Sequence, residues 1–396
     1  MCCGIIADVA GARSALIVGA GIGGLAAGLA LKRAGWQVRI FERAANPREL
    51  GFALLLAPNA IAALEELGVA APIVAGGATP TSAEVRRPDG RVLRRLDVSD
   101  SRRAIGGVPV VALRTLVHGA LLDAVGRDAL TLNAEVTGVS AAGSHPSITL
   151  ASGETMKGDL VVGADGVHST IRRAVHPKEP PARPSGLRAL RGVVSGTSHH
   201  LGAMSGTLYL GRGLETAAVK AGNDVVYFYV SLRDDLVAGV PRDPVSFLSR
   251  ALQILDEHFA AVAGPTAAVD MRVDDLFDRD PLPYWGTHQV TLLGDAAHPL
   301  LPHTGQGAAQ ALEDAVALGR VLAHERHIPD ALRHYERVRA RRTTTLLYQG
   351  RRYAGTMRTA NPLLCWVRDT AVRLVPKWMV VAAFVVGQKT DPYEGL

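Results

Sequence analysis

Gly19, Gly21 and Gly24 are spaced Gly-x-Gly-x-x-Gly, and Glu42 lies 18 positions beyond the last of them (42 − 24). Glycines in this pattern act through the backbone. Gly19 permits a tight turn, Gly21 lets the main chain approach a pyrophosphate, and Gly24 lets a helix pack closely on a strand. The N-terminus of that helix then faces the anion. A carboxylate at the place of Glu42 accepts hydrogen bonds from ribose hydroxyls and disfavours a 2′-phosphate, so NADP is not expected here. Two later stretches put an acid at the end of an apolar run: Asp165 after LVVGA, and Asp295 after VTLLG. After Asp295 come Pro302, Gly305, Gln306 and Gly307, and a long helical pattern begins at Ala308. A strand-end Asp suits a ribityl hydroxyl or a phosphate-linked water. Glycines at a helix N-terminus leave backbone N–H groups free to stabilise developing negative charge. A reduced flavin carries such charge on its N1–C2=O edge, and a nicotinamide ring does not.

Regular elements must hold these residues. SALIV, 14–18, reads as a short buried strand, and 25–34 as an Ala/Leu-rich helix ended by Gly35. WQVRIF, 36–41, alternates like a second strand, which completes a βαβ unit. Residues 185–275 read mostly as strands (RALRGVV, GTLYLG, LETAAVK, DVVYFYVSLR), with one helix at about 244–262. A long Arg-rich helix follows at about 328–358 and carries RARR, 339–342, as a surface stretch. The Pro-rich link HPKEPPARP, 176–184, marks a crossing between domains. The expected division is 1–180 and 276–360 for a discontinuous nucleotide domain, 181–275 for a β-sheet substrate domain, and 361–396 for a hydrophobic tail.

Composition narrows the function classes. With 396 residues, 48% hydrophobic and 20% charged, the chain has material for a sizeable core and is not expected to be disordered. The net charge is +6, yet no block of five like charges occurs. Nucleic acid is therefore not an expected partner; a field that attracts an anionic cofactor is. Cys2, Cys3 and Cys365 form no CxxC and no metal spacing, which suits a reduced, cytoplasmic protein without a metal. The first residues lack the basic region of a secretory signal. WMVVAAFVVG, 378–387, is too short to span a bilayer. It is expected to be a buried helix, with weak membrane contact as the alternative.

Taken together, the Gly19-x-Gly21-x-x-Gly24 motif with Glu42, Asp165-Gly166, and Gly294-Asp295 with Pro302-x-x-Gly305-Gln306-Gly307 resemble those of single-component FAD-dependent aromatic hydroxylases. These are flavoprotein monooxygenases of the para-hydroxybenzoate hydroxylase fold, and the salicylate, 3-hydroxybenzoate and urate hydroxylase group is the most similar. The resemblance covers roughly residues 14–355. It implies an α/β fold: a discontinuous Rossmann-like FAD-binding domain, an inserted β-sheet substrate domain and C-terminal helices. It implies FAD as bound cofactor, and NADH or NADPH as a transient reductant, since no second nucleotide motif is present. An aromatic small molecule and O2 are the implied partners, hydroxylation through a flavin C4a-hydroperoxide is the implied reaction, and the chain is expected to be a monomer or homodimer.

Residue by residue, the resemblance implies that Glu42 and Arg43 hold the adenosine ribose and its surroundings, and that Val136 offers backbone to the adenine. Arg114 and Asp295 serve the phosphates and ribityl chain. Ala53, Gly305, Gly307 and Ala308 approach the flavin ring, while Asp165 and Arg172 shape the groove and are tied in the family to the nicotinamide. Candidates for the oxygen-transfer step are Arg191, Tyr227 and His303. Candidates for substrate contact are Arg212, Lys220, Tyr229 and Pro302. Lys220 stands where relatives usually carry a proline, which separates this chain from their known substrates. His298 is expected to be structural. Alternatives are a flavin-dependent epoxidase, a geranylgeranyl-reductase-like oxidoreductase, or a non-catalytic escort protein on the same fold. A halogenase is disfavoured because the four Trp are isolated.

Overall fold

In the computed structural model, residues 13–46, 52–97 and 107–376 are described. The apolar stretch 378–387 lies outside them. The apolar run Ser14–Val18 forms the central strand of a five-stranded parallel sheet. Gln37–Phe41 and then Leu130–Thr131 lie on one side, and Leu160–Gly163 and then Val290–Leu292 on the other. All three motifs therefore leave the carboxyl ends of adjacent parallel strands, where open α/β sheets bind ligands. The glycine-motif helix, Ile22–Arg33, buries Leu25, Ala26, Leu29 and Leu31 in the main core.

Steric contacts explain the glycines. Gly19 has φ +103°, and a Cβ there would lie 2.5 Å from the Ala164 carbonyl oxygen. A Cβ on Gly24 would lie 1.9 Å from the Gly19 carbonyl oxygen. The helix can sit this close to the turn only without a side chain at 24.

A seven-stranded sheet roofs the first. Its order is Met271–Asp278, Arg183–Ser195, Val225–Arg233, Leu214–Lys220, Gly206–Leu210, Ser82–Arg86, Val92–Asp97. The expected limits 181–275 are corrected here. Two strands come from the first segment, since Ser82–Arg86 pairs in parallel with Gly206–Leu210, and the strand at the other edge runs on to Asp278. The outer face of this sheet, with Val226, Phe228 and Val230, packs on Phe247 and Phe259. Those phenylalanines lie on two helices, Pro244–Leu252 and Glu257–Ala263, not on one over 244–262. Asp256 starts the second by accepting a hydrogen bond from the Phe259 N–H. A two-stranded antiparallel sheet of Ala53–Leu56 and Val110–Leu113 lies below the roof.

Two long helices close the floor, Gly307–His324 and Ile328–Arg358. The RARR stretch is surface only in part: Arg341 is exposed, but Arg339 is 0% exposed and pairs with Glu313 and Asp314. Among the described residues, no helix is long and apolar enough to cross a membrane.

Gly24→Ala forces the Ile22–Arg33 helix off the sheet. The expected loss is about 3 kcal/mol, read as a lower urea midpoint. A midpoint equal to wild type would show that helix and turn can part at no cost.

Candidate functional site

The glycine turn is braced from three sides. The Gly19 N–H donates to the Phe41 carbonyl at 2.8 Å. The Glu42 carboxylate accepts from the Ala20 and Ala44 N–H groups, each at 2.9 Å. His118, on the helix Arg114–Val125, donates its Nε2–H to the Ala20 carbonyl at 2.9 Å. Burial holds His118 below its ordinary pKa, which suits this neutral donor. No spacing points to His118, because only the fold brings it to a residue 98 positions away. Arg43 is exposed beside Glu42, and the chain leading to Val136 runs alongside, with the Ala134 N–H donating to the Glu42 carbonyl.

Asp165 caps the helix Thr170–Val175. It accepts from the Ser169 hydroxyl and from the N–H groups of Thr170 and Ile171. Burial still leaves its carboxyl above the ordinary value. Arg172 is fully buried, with Glu179 on one side of its guanidinium and the Ala296 and Ala297 carbonyls on the other. It thus ties the Asp165 helix to the loop after Asp295. That geometry corrects a direct nicotinamide contact for Arg172, because no part of the side chain reaches the surface.

Asp295 opens into the groove yet is surrounded by protein. Burial raises its carboxyl, while His298, Arg114 and Arg191 oppose the rise. Arg114 faces it from the start of its helix; burial lowers the Arg114 pKa, as do the nearby cations Arg191 and Arg272. Gly305, with φ +63°, turns the chain into the helix Gly307–His324. No side chain caps that helix and its first turn holds no acid. The N–H groups of Gly307 and Ala308 thus face the space beside Asp295, whose Oδ1 lies 3.9 Å from where a Gly307 Cβ would be.

A buried charge network fixes this loop. Asp314 accepts from the Gly294 N–H at 3.0 Å, from His298 Nε2 at 2.6 Å and from Arg339 Nε at 2.7 Å. Burial pushes Asp314 up, but His298 and Arg339 outweigh it and hold the carboxyl at about 2. Glu313 takes Arg339 Nη1 at 2.6 Å and Asn59 Nδ2 at 2.5 Å. Asn59 also donates to Gln306, so the helix after the Ala53 strand joins the same network.

The inner face of the roof looks down on the groove. Register places Arg191 beside Tyr229 and Val193 beside Tyr227. Tyr227 packs with Ala53, Val111, Val219 and Ala221. Arg191 pairs with Asp274 at 3.5 Å and lies within electrostatic reach of Asp295. His303 follows the exposed Pro302 and reaches up to the roof, where its Nδ1 lies 2.8 Å from Glu215 Oε2.

Three substrate assignments are corrected. Lys220 pairs with Val226 and so lies on the outer face; its Nζ donates to the Gly202 carbonyl. Arg212 is exposed on a hairpin turn whose Gly213 N–H donates to the Thr359 carbonyl, away from the groove. The Tyr229 hydroxyl is taken up by Glu215 at 2.5 Å. Glu215 and Tyr353 are residues that sequence reasoning missed.

The groove suits FAD. A glycine turn without side chains, an acid at the ribose end, a cation near the middle and an open helix N-terminus occur in the order its parts require. These features define a flavin-binding α/β domain under a β-sheet roof. The chain belongs to the family described as "FAD binding domain", whose model matches residues 13–349. It is 32% identical to the aurachin C monooxygenase/isomerase of Stigmatella aurantiaca, over 91% of this chain and 94% of that one. It is 32% identical to the 6-hydroxynicotinate 3-monooxygenase of Pseudomonas fluorescens, over 83% and 88%. Klebsiella pneumoniae HpxO, crystallised with FAD and uric acid, superposes with a TM-score of 0.82 at 25% identity, covering 95% of this chain and 96% of that one. The chain is an FAD-dependent monooxygenase.

Asp314→Asn leaves Arg339 short of one buried counter-charge. The expected cost is about 3–5 kcal/mol, read by chemical unfolding. Because the folded pKa is depressed, wild-type stability from this group is full above the ordinary 3.8 and is lost as pH falls toward about 2. The variant should therefore show a flatter acid limb. An unchanged limb would remove Asp314 from the stabilising network.

Proposed function

We propose that the protein hydroxylates a bulky, largely apolar aromatic or heteroaromatic ring of the phenol or quinolone type, at the expense of NADH or NADPH and O2. The observation that carries the reading is the meeting of two faces: the open N-terminus of Gly307–His324 beside Asp295, and the inner face of the roof, whose Arg191 lies within electrostatic reach of Asp295. One wall presents backbone donors for a flavin. The other presents the half-buried Tyr227, backed by the packed residues Ala53, Val111 and Ala221, an apolar group that suits a flat ring. Bound FAD would supply the chemistry, taking hydride from the nicotinamide and using O2 to deliver an OH group to an electron-rich carbon.

The chain's own residues have separate tasks. Gly19, Gly21, Gly24, Glu42, Arg43 and Val136 hold the adenosine and pyrophosphate end. Arg114 and Asp295 hold the middle. Ala53, Gly305, Gly307 and Ala308 border the ring. Tyr227 and Pro302 shape the substrate side and exclude water, and Arg191 provides positive charge near the reacting edge. Asp165 acts indirectly, through the helix it caps. A cytoplasmic location fits the reductant.

Purified protein should be yellow. One class among phenols, benzoates and quinolones should accelerate NADH or NADPH oxidation, and under ¹⁸O2 the product should gain one labelled oxygen. Turnover without labelled oxygen in the product would favour a reductase.

A further inference from the structure

The helix Pro362–Leu374 has two faces of opposite kind. Its inward face is Cys365, Arg368, Asp369 and Val372, spaced i, i+3, i+4 and i+7. That face holds the helix on the edge of the roof. Val372 packs with Val85, Leu93 and Leu210. Arg368 Nη1 donates to the Gly211 carbonyl at 2.9 Å. Arg94, on the edge strand Val92–Asp97, donates through Nη1 to the Val372 carbonyl at 2.8 Å. Asn361 fixes the other end, its Oδ1 accepting from the Leu363 N–H at 2.9 Å. The direction of the remaining face follows from these bonds. It is apolar and turned to solvent: Leu363, Leu364, Trp366, Val367 and Leu374 are each 49–77% exposed. Single exposed apolar side chains are ordinary, but five on one fixed helix form a patch that calls for a partner.

Charge says which partner fits. Between Glu336 and Asp391 the one acidic residue is Asp369, and it is buried and paired with Arg368. Arg373 is exposed two turns beyond Trp366 on the same flank of the helix. Arg212 is exposed on a turn that this segment touches twice, since the Gly211 carbonyl takes Arg368 and the Gly213 N–H donates to the Thr359 carbonyl. The apolar face is thus bordered by cations, with no exposed acid in its own segment. A second copy seated here about a two-fold axis would bring arginines against arginines. An anionic lipid surface instead offers acyl chains to the leucines, the headgroup layer to Trp366, and phosphates to Arg212 and Arg373. The apolar run 378–387 begins four positions after Leu374, so the sequence keeps the same character.

We propose that Pro362–Leu374 is a docking helix that lays Leu363, Leu364, Trp366 and Val367 into an anionic lipid surface and seats the enzyme with the outer edge of its roof toward the lipid. The helix lies on the surface and does not span it. Its 13 residues reach about 20 Å, short of a hydrocarbon core about 30 Å thick. The docking does not depend on which ring compound the enzyme oxidises, so it stands or falls apart from the hydroxylase reading.

The test is co-sedimentation of the FAD-loaded full chain with phosphatidylcholine vesicles, with and without phosphatidylglycerol. Wild type should bind the anionic vesicles about tenfold more tightly than the neutral ones, and high salt should remove the difference. Leu363→Ser combined with Trp366→Ser should weaken binding to the anionic vesicles about tenfold or more. Arg373→Glu should weaken it about fivefold and leave binding to neutral vesicles unchanged. These side chains point away from the protein, so FAD content and urea midpoint should stay at wild type. Val269→Ser, which removes an exposed apolar side chain elsewhere on the roof, should leave binding unchanged. Wild type that stays in the supernatant with every vesicle overturns the proposal. Binding that survives the double variant but disappears when 377–396 are removed also overturns it, by moving the contact out of the helix. So does a concentration-dependent dimer that the double variant dissolves and that binds no vesicles, which would give the face to a second copy.

Discussion

Asp314 holds together the parts that make the groove. Its carboxylate joins the Gly294 N–H, the His298 ring and the Arg339 guanidinium, which come from a loop and from a second helix. The position of Asp295 follows from the first of these bonds, and the packing of the long helix from the third. Glu313 extends the constraint to Asn59 and so to the strand that carries Ala53. Charges this deep cost much to desolvate, and they stay ionised only because each has partners on several sides. The arrangement gives the loop from Gly294 to Gly307 one position, and the open helix N-terminus depends on that position.

The groove has a floor and a roof that contribute different physics. The floor supplies backbone: turns without side chains and amide groups at helix starts. The roof supplies side chains on alternating strand positions. Between them, Arg114, Arg191 and Arg272 gather near Asp295 and Asp274, so part of the modest positive charge of the chain is concentrated where an anionic cofactor lies. A scattered excess of arginine would not have produced this.

The backbone-mediated half of the site was legible in the sequence because its requirement is local. Only glycine fits at Gly19 and Gly24, and a short spacing encodes that fact. The side-chain half was legible only in part. Glu215 meets His303 across 88 positions and Tyr353 across 138, and no spacing rule reaches so far. Arg339 looked like a surface residue because helix periodicity cannot say that two acids await it inside. Lys220 was misread for a different reason: its face follows from pairing with Val226, a register that alternation alone leaves open. The helix at 244–262 was read through because the apolar pattern continues past Asp256, whose capping role needs the following N–H group to show it.

The parallel pairing of Ser82–Arg86 with Gly206–Leu210 has a consequence for modularity. The roof looks like an insertion, a unit that evolution or an engineer could lift from one floor and set on another. It is not separable in that way. Cutting the chain near 181 and 275 would strip Gly206–Leu210 of its neighbour and leave a bare strand edge of the kind that invites aggregation. Chimeras that exchange substrate specificity must therefore carry 82–97 along with the later segment, which makes the first segment of the chain part of the specificity unit as well as part of the cofactor domain.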